Sequence, residues 1–273
     1  MDASLTFVGN ATTVLRLGGF TLLTDPNFVR RGQRVHLGYG LTSKRLRDPA
    51  TTIAELPELD LVLLSHLHAD HFDRVARRAL PRHPPVLTTP HAAKRLQRWG
   101  FGGATGLSTW EDWEVSRDDE RLRVTSVPGQ HGPAVVHRLL PPVMGSVLEL
   151  DRGGPGAWQR VLRVYVTGDT LCRSHLRAVR ERCGEIDVMI AHLGGTKVLG
   201  VLVTMDAVQG TDLVELIGPH VVVPVHYDDY GVFSSPLEDF VAEMGRRGHG
   251  ERLRTVARGG TTGLAPSPQA RRG

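Results

Sequence analysis

The stretch "LVLLSHLHADHFDRV", residues 61–75, constrains this chain more than any other. Four apolar residues run straight into Ser65, His66, His68, Asp70, His71 and Asp73. A surface turn is ordinarily written with Gly, Pro, Asn, Asp or Ser. Three imidazoles within six positions make a poor turn and a good grip. In an extended loop residues i and i+2 point the same way, so His66 and His68 can reach one ion.

The arrangement recurs along the chain. The apolar strand pattern "RLRVTSV" (121–127) is followed by "PGQHG", which places His131 just past its end. "VLRVYVTG" (161–168) delivers Asp169, and "HVVVPV" (220–225) delivers His226. Loops at the ends of strands in a rigid sheet are where α/β proteins build their sites. His66, His68, His71, His131 and His226 with Asp70 and Asp169 make five imidazoles and two carboxylates. Those groups suit zinc, iron or manganese. Seven ligands exceed what one tetrahedral zinc needs. They match two ions that share a carboxylate and a hydroxide, ~3.5–4 Å apart in such sites.

The surrounding pattern predicts alternating elements. "LTFVG", "TVLRL" and "FTLLT" (5–24) read as a meander, and "LDLVLLS" as a strand buried on both faces. "FDRVARRAL" predicts a helix, followed by the strand "PVLTT" and the helix "PHAAKRLQRWG". Further strands are expected at 121–127, 144–150, 161–168, 186–191 and 220–225, with a last one at "LRTVA". Helices are expected at 173–182, at 204–218 with Thr204 as cap and Gly218 as stop, and at 236–247. Two packed sheets with helices outside satisfy that order. With 273 residues, the expectation is one α/β (α+β) domain over 1–264 and a disordered tail, "APSPQARRG", at 265–273.

The totals exclude several classes. No apolar run approaches the ~18 residues of a membrane span, and "MDASLTFVGN" lacks a signal-peptide pattern, so a cytoplasmic protein is expected. Cys172 and Cys183 cannot build a disulfide framework and read as reduced helix residues. The net charge of +4 comes almost wholly from arginine. Its one concentration, "RRGQRVHLGYGLTSKRLR" (30–47), reads either as a solvated loop or as a site rim that attracts an anion. No nucleic-acid partner is expected, since that calls for a concentrated basic face.

His66-x-His68-x-Asp70-His71, with His131, Asp169 and His226 downstream, resembles the metal-binding motif set of the metallo-β-lactamase superfamily. The likeness covers residues 5 to about 260. It implies an αββα four-layer sandwich with metals at one edge of the two sheets. It also implies that His66, His68 and His131 bind one ion, that Asp70, His71 and His226 bind the other, and that Asp169 bridges them. Two divalent ions are implied, zinc ahead of manganese or iron. "GNATTVLRLGGFTLLTDPNF" followed by "ELPELDLVLLSHLHADH" is similar to the branch of L-ascorbate-6-phosphate lactonase and N-acyl-phosphatidylethanolamine-hydrolysing phospholipase D. Relatives there commonly carry His at the position of Asn10, where this chain departs.

Other residues carry narrower expectations. Asp25 is a candidate to orient a ligand histidine, with an Asx turn before Pro26 as the alternative, and Ser65 and Thr167 could join it. His192, also past a strand, is a candidate general acid alongside the catalytic Asp70. Asn10 and Lys197 are expected to face the site and meet an anionic group. "WEDWEV" (110–115) reads as an edge strand in preference to a substrate-facing lip. His36, His83, His91, His137, His175, His220 and His249 follow no ligand pattern.

The expected activity is hydrolysis of an ester, lactone or phosphodiester in a small anionic substrate. An exported β-lactamase is disfavoured because no export signal is read, a nuclease with an inserted recognition domain because the chain between Asp169 and His226 has no room for one, and a flavin-linked di-iron reductase because that family places Glu where this chain has His68. A non-catalytic metal-binding or sensor protein on the same fold is the alternative. The complete ligand set argues against it.

Overall fold

The computed structural model describes residues 3–38, 40–133 and 139–265. The expected tail lies outside them except for residue 265. Its first sheet begins with the meander β1 (Ala3–Gly9), β2 (Thr12–Leu17) and β3 (Phe20–Thr24). A hairpin, β4 (Arg34–Gly38) and β5 (Leu41–Lys44), then leaves the sheet. The chain returns through β6 (Leu61–Leu63), helix α1 (Arg74–Ala79), β7 (Val86–Thr88), helix α2 (Pro90–Arg98) and β8 (Ala104–Gly106).

The second sheet runs antiparallel through β9 (Asp112–Arg117), β10 (Glu120–Pro128), β11 (Met144–Arg152) and β12 (Gln159–Val166). Helix α3 (Arg177–Cys183) leads to the parallel strand β13 (Val188–His192). After a small hairpin, β14 (Lys197–Val198) and β15 (Val201–Leu202), come helix α4 (Ala207–Ile217), strand β16 (Val221–Val225), helix α5 (Leu237–Arg246) and β17 (Thr261–Gly263). The sheet orders are β17-β1-β2-β3-β6-β7-β8 and β16-β13-β12-β11-β10-β9.

Three apolar layers hold this together. Leu5, Leu15, Leu22 and Leu63 face Leu122, Leu148, Val164 and Ile190 between the sheets. Leu96 of α2 and Ala76 of α1 cover the outer face of the first sheet. Val179, Leu213 and Phe240 of α3, α4 and α5 cover the second. The result is the expected αββα order, with the central strands of each sheet covered on both faces.

Local chemistry sets the element ends. Asp73 accepts from the N–H groups of Val75 and Ala76 at 2.8 Å and so starts α1. Gly218 closes α4 at φ 65. The α4 cap is not Thr204, as expected, but Asp206, which accepts from the Gln209 N–H at 2.9 Å. Thr204 instead accepts the N–H of Thr196. "LRTVA" forms no strand. Leu253 makes one bridge to Val222 at the sheet edge, and the ladder stops there. Cys183 ends α3, whereas Cys172 lies in a loop, and both thiols are free. "WEDWEV" supplies β9, an edge strand as expected.

Candidate metal centre

Every ligand candidate sits at the C-terminal end of a strand, and all these ends share one edge. β6 runs into His66, His68, Asp70 and His71; β10 leads to His131, β12 to Asp169, and β16 to His226. All seven are buried. At the turn after β12, Gly168 takes φ 62, and a Cβ there would lie 2.8 Å from the Met144 carbonyl oxygen. That close approach reserves the position for glycine and swings Asp169 inward.

The ring nitrogens converge in overlapping groups. His66, His68 and His131 form one cluster, Asp70, His71 and His226 another, and His66, His71 and Asp169 a third between them. His66 Nε2 lies 2.9 Å from His68 Nδ1. His71 Nε2 lies 3.3 Å from Asp169 Oδ2 and 3.7 Å from Asp70 Oδ2. His226 Nε2 lies 3.4 Å from Asp70 Oδ2.

What holds the rings is equally specific. The Nδ1 atoms of His66, His71, His131 and His226 meet Ser65 Oγ, Asp25 Oδ2, the Val203 carbonyl and the Leu193 carbonyl at 3.0, 3.2, 2.9 and 3.1 Å. Each tether leaves Nε2 aimed at the centre, the usual way ligating histidines are oriented. Asp25 carries the orienting role expected of it. It accepts from the Ser65 N–H at 2.8 Å and the Ser65 hydroxyl at 3.0 Å, so it supports His66 through Ser65 and His71 directly. The two carbonyl tethers had no signal in the sequence, because any residue supplies a carbonyl. Asn10, Asp25 and His226 all hold positive φ, at 54°, 36° and 64°. Such strain concentrates where surrounding structure over-determines the backbone.

The electrostatics divide the cluster. Burial, then neighbouring imidazoles, hold His66 well below its ordinary value, and burial pushes His68 down to about 4. Burial also opposes charge on His71 and His226, but Asp169 and Asp70 outweigh it and raise both. Burial would raise Asp70 and Asp169, yet the adjacent imidazoles, His71 for Asp70 and His226 then His71 for Asp169, bring both down. Against this background Asp70 Oδ1, Asp169 Oδ1 and His71 Nε2 are buried without a hydrogen-bond partner among the described residues. Orphaned carboxylate oxygens beside convergent imidazoles are what a cation would satisfy. The donor set fits divalent metal.

Three expectations are corrected. His192 does not reach the cleft: it is fully buried, its Nε2 3.2 Å from Asp25 Oδ2 and its Nδ1 3.3 Å from Thr167 Oγ1, beneath the ring of His71. Asn10 faces away from solvent too, and its amide donates to the Asp70 carbonyl at 2.7 Å, so it positions the loop. In the basic stretch 30–47, Arg30, Arg31, Arg34, Lys44 and Arg47 are exposed, as in a solvated loop, and the cationic-rim alternative gives way. Arg45 is buried in an ion pair with Asp229 at 2.8 Å, pinning the β4–β5 hairpin beside the His226 loop. The hairpin turns Leu37 and Leu41 toward the metal cluster instead. Lys197, as expected, lines that same pocket.

A family model for the β-lactamase superfamily domain matches residues 21–227, and the chain belongs to that family. A UPF0173 metal-dependent hydrolase from Aeropyrum pernix is 26% identical over 255 residues, 87% of this chain and 88% of that protein. N-acyl-phosphatidylethanolamine-hydrolyzing phospholipase D 1 of Caenorhabditis elegans is 27% identical over 69% of this chain, which spans about half, 53%, of that longer relative. Among solved structures, isothiocyanate hydrolase from Delia radicum gut bacteria aligns with a TM-score of 0.77 at 20% identity, over 96% of this chain and 99% of that one. These likenesses bear out the superfamily and the fold. No helix among the described residues is long and apolar enough to cross a membrane.

Proposed function

We propose that this chain is a metal-dependent hydrolase that works through two divalent ions, zinc ahead of manganese or iron. His66, His68 and His131 would hold one ion, Asp70, His71 and His226 the other, and Asp169 would lie between them. Such a pair supplies hydroxide near neutral pH, by lowering the pKa of water to ≈ 7, and polarises the oxygen of a carbonyl or phosphoryl group. The observation that carries the reading is the set of tethered rings around orphaned carboxylate oxygens.

The protein's own groups would do the rest. Asp70 reaches the pocket beside His68, His131 and Asp169 and would hold the proton of the attacking water. With His192 shut behind His71, Asp70 is also the group left to return that proton to the leaving oxygen. The pocket is narrow, about 150 Å³, and walled by Leu37, Leu41, Val198 and Val203. Apolar walls exclude water and strengthen charge interactions at the reacting bond. An ester, lactone or phosphodiester carried by a small anionic molecule suits it, with Lys197 on the lining as one cation. The free thiols of Cys172 and Cys183 support a reducing, cytoplasmic setting.

The test has two arms. Purified protein should carry close to two ions per chain, and a panel of lactones, esters and phosphodiesters, assayed with zinc and with manganese, should contain a substrate. His68→Ala and Asp70→Ala should abolish turnover while circular dichroism stays unchanged. Full activity after chelation would refute the proposal. Filled sites with no turnover on any panel member would favour a binding or sensor protein.

A further inference from the structure

The reaction centre lies at the bottom of a pocket of about 150 Å³, room for only a few heavy atoms. Immediately beyond it opens a larger cavity of about 620 Å³, within the range that organic ligands occupy. The two share His68 and Leu140 on their walls and so lie side by side, and a molecule long enough to pass these side chains would present a bond to the metal cluster with its remainder in the larger cavity. The larger cavity belongs to no part of the mechanism described above.

Its chemistry is asymmetric. Phe72, Trp99, Pro141 and Pro142 line it with flat or apolar surface. The cations and donors are Arg95 and His91 of α2 and His36 of β4, and among the described residues no carboxylate lines it. Arg95 forms no salt bridge among the described residues. Its guanidinium stands 5.5 Å from the centroid of the Trp99 ring. A guanidinium without a carboxylate, held against an aromatic face, is suited to bind a carboxylate or phosphate attached to a planar or apolar body.

We propose that this cavity is the second half of the substrate site, with Arg95 selecting an anionic group set apart from the scissile bond and Trp99 and Phe72 receiving the apolar part that joins them. The substrate class is then an amphipathic anion, bipartite across His68. This rests on the hydrolase reading and deepens it. It moves the anion from the basic stretch 30–47 to α2. His36 and His91, which no ligand motif singles out, acquire a place as neighbouring donors.

The experiment titrates the full-length, metal-loaded protein with phenylphosphonate, a non-hydrolysable aryl dianion, and follows tryptophan fluorescence. A saturable signal is expected, absent from Trp99→Phe, with affinity weakened about tenfold in Arg95→Ala and partly restored in Arg95→Lys. Matched esters give the second readout. The kcat/KM preference for 4-acetoxybenzoate over phenyl acetate should fall about tenfold in Arg95→Ala, through KM, with phenyl acetate unchanged. Equal affinity in wild type and Arg95→Ala, a signal that vanishes on metal removal, or no saturation by about 1 mM would overturn the proposal. None of those results touches the metal-dependent hydrolysis itself. Conversely, Arg95-dependent binding in a metal-filled protein that turns over no lactone, ester or phosphodiester of the panel would keep this subsite and remove the catalytic reading.

Discussion

His66, His68 and His131 meet with no carboxylate in their group, whereas Asp70, His71 and His226 meet around one, with Asp169 against the His71 ring. The two sets share burial, a common edge and even a common support in Asp25. They differ in what burial does to their protons. In the first set desolvation lowers all three imidazoles, His68 to about 4, and so favours the neutral form that offers a lone pair. In the second, the carboxylates overcome desolvation and raise His71 and His226. A proton there occupies the place a cation would take. Around one half of the cluster burial favours neutral imidazole, and around the other the carboxylates favour protons that would compete with a cation.

The sharpest way to break this contrast is to delete one set at a time. Asp70→Ala should lower kcat/KM by about 10³-fold or more, since under the proposed function it removes both a ligand and the proton acceptor. Elemental analysis should find that His131→Ala loses one ion and that Asp169→Ala weakens both sites. Uniform loss from every variant would mean that the two sets are not separable. Asp25 tests what they share. Asp25→Ala should weaken metal binding about 10- to 100-fold in both sets, because it supports His66 through Ser65 and His71 directly. An effect limited to one set would remove Asp25 from the other.

Acid should separate the sets next. Below neutrality protons compete for His71 and His226, whose affinity for them is raised, so the carboxylate-rich set should empty first as pH falls. Metal content followed from pH 8 to pH 4 checks the order, and early loss from the three-histidine set would reverse the contrast. In metal-free protein the signs run oppositely. His68, lowered from 6.5 to about 4, contributes stability that is complete above 6.5 and is lost as pH falls toward 4. His71 and His226, raised, contribute stability that is complete below 6.5 and is lost as pH rises through their folded values. The denaturant midpoint of His68→Leu relative to wild type should therefore be higher at pH 5 than at pH 7. The smallest effect is a control far from both sets. Asp206→Ala should cost about 1 kcal/mol through the α4 cap and leave metal content unchanged.

That these seven side chains gather at one sheet edge was legible in the sequence because each follows a short apolar strand, a signal confined to ten or so residues. The layers were legible for the same reason. What escaped depends on partners far away in the chain. Arg45 reads as one more base in a basic stretch, and only its ion pair with Asp229 reveals a buried anchor. His192 carries the same strand-end signature as a true cleft residue, yet Asp25 and Thr167 claim both its nitrogens. Thr204 and Asp206 are both good caps, and the Thr196 N–H decides between them by engaging the threonine. The pocket walls come from two hairpins whose leucines and valines look like ordinary strand residues until the tertiary fold turns them toward His68.

One consequence follows from where the seven residues originate. β6 belongs to one sheet and β10, β12 and β16 to the other, so an ion held between them is a clasp across the sandwich. A ligand that binds only the folded chain stabilises it by RT ln(1 + [L]/Kd), about 2.7 kcal/mol at a hundredfold excess over Kd. Metal scarcity would then act twice. It would silence the proposed reaction centre, and it would leave a chain that opens more often and offers itself to proteases, so that supply of the ion would set the lifetime of the protein as well as its output.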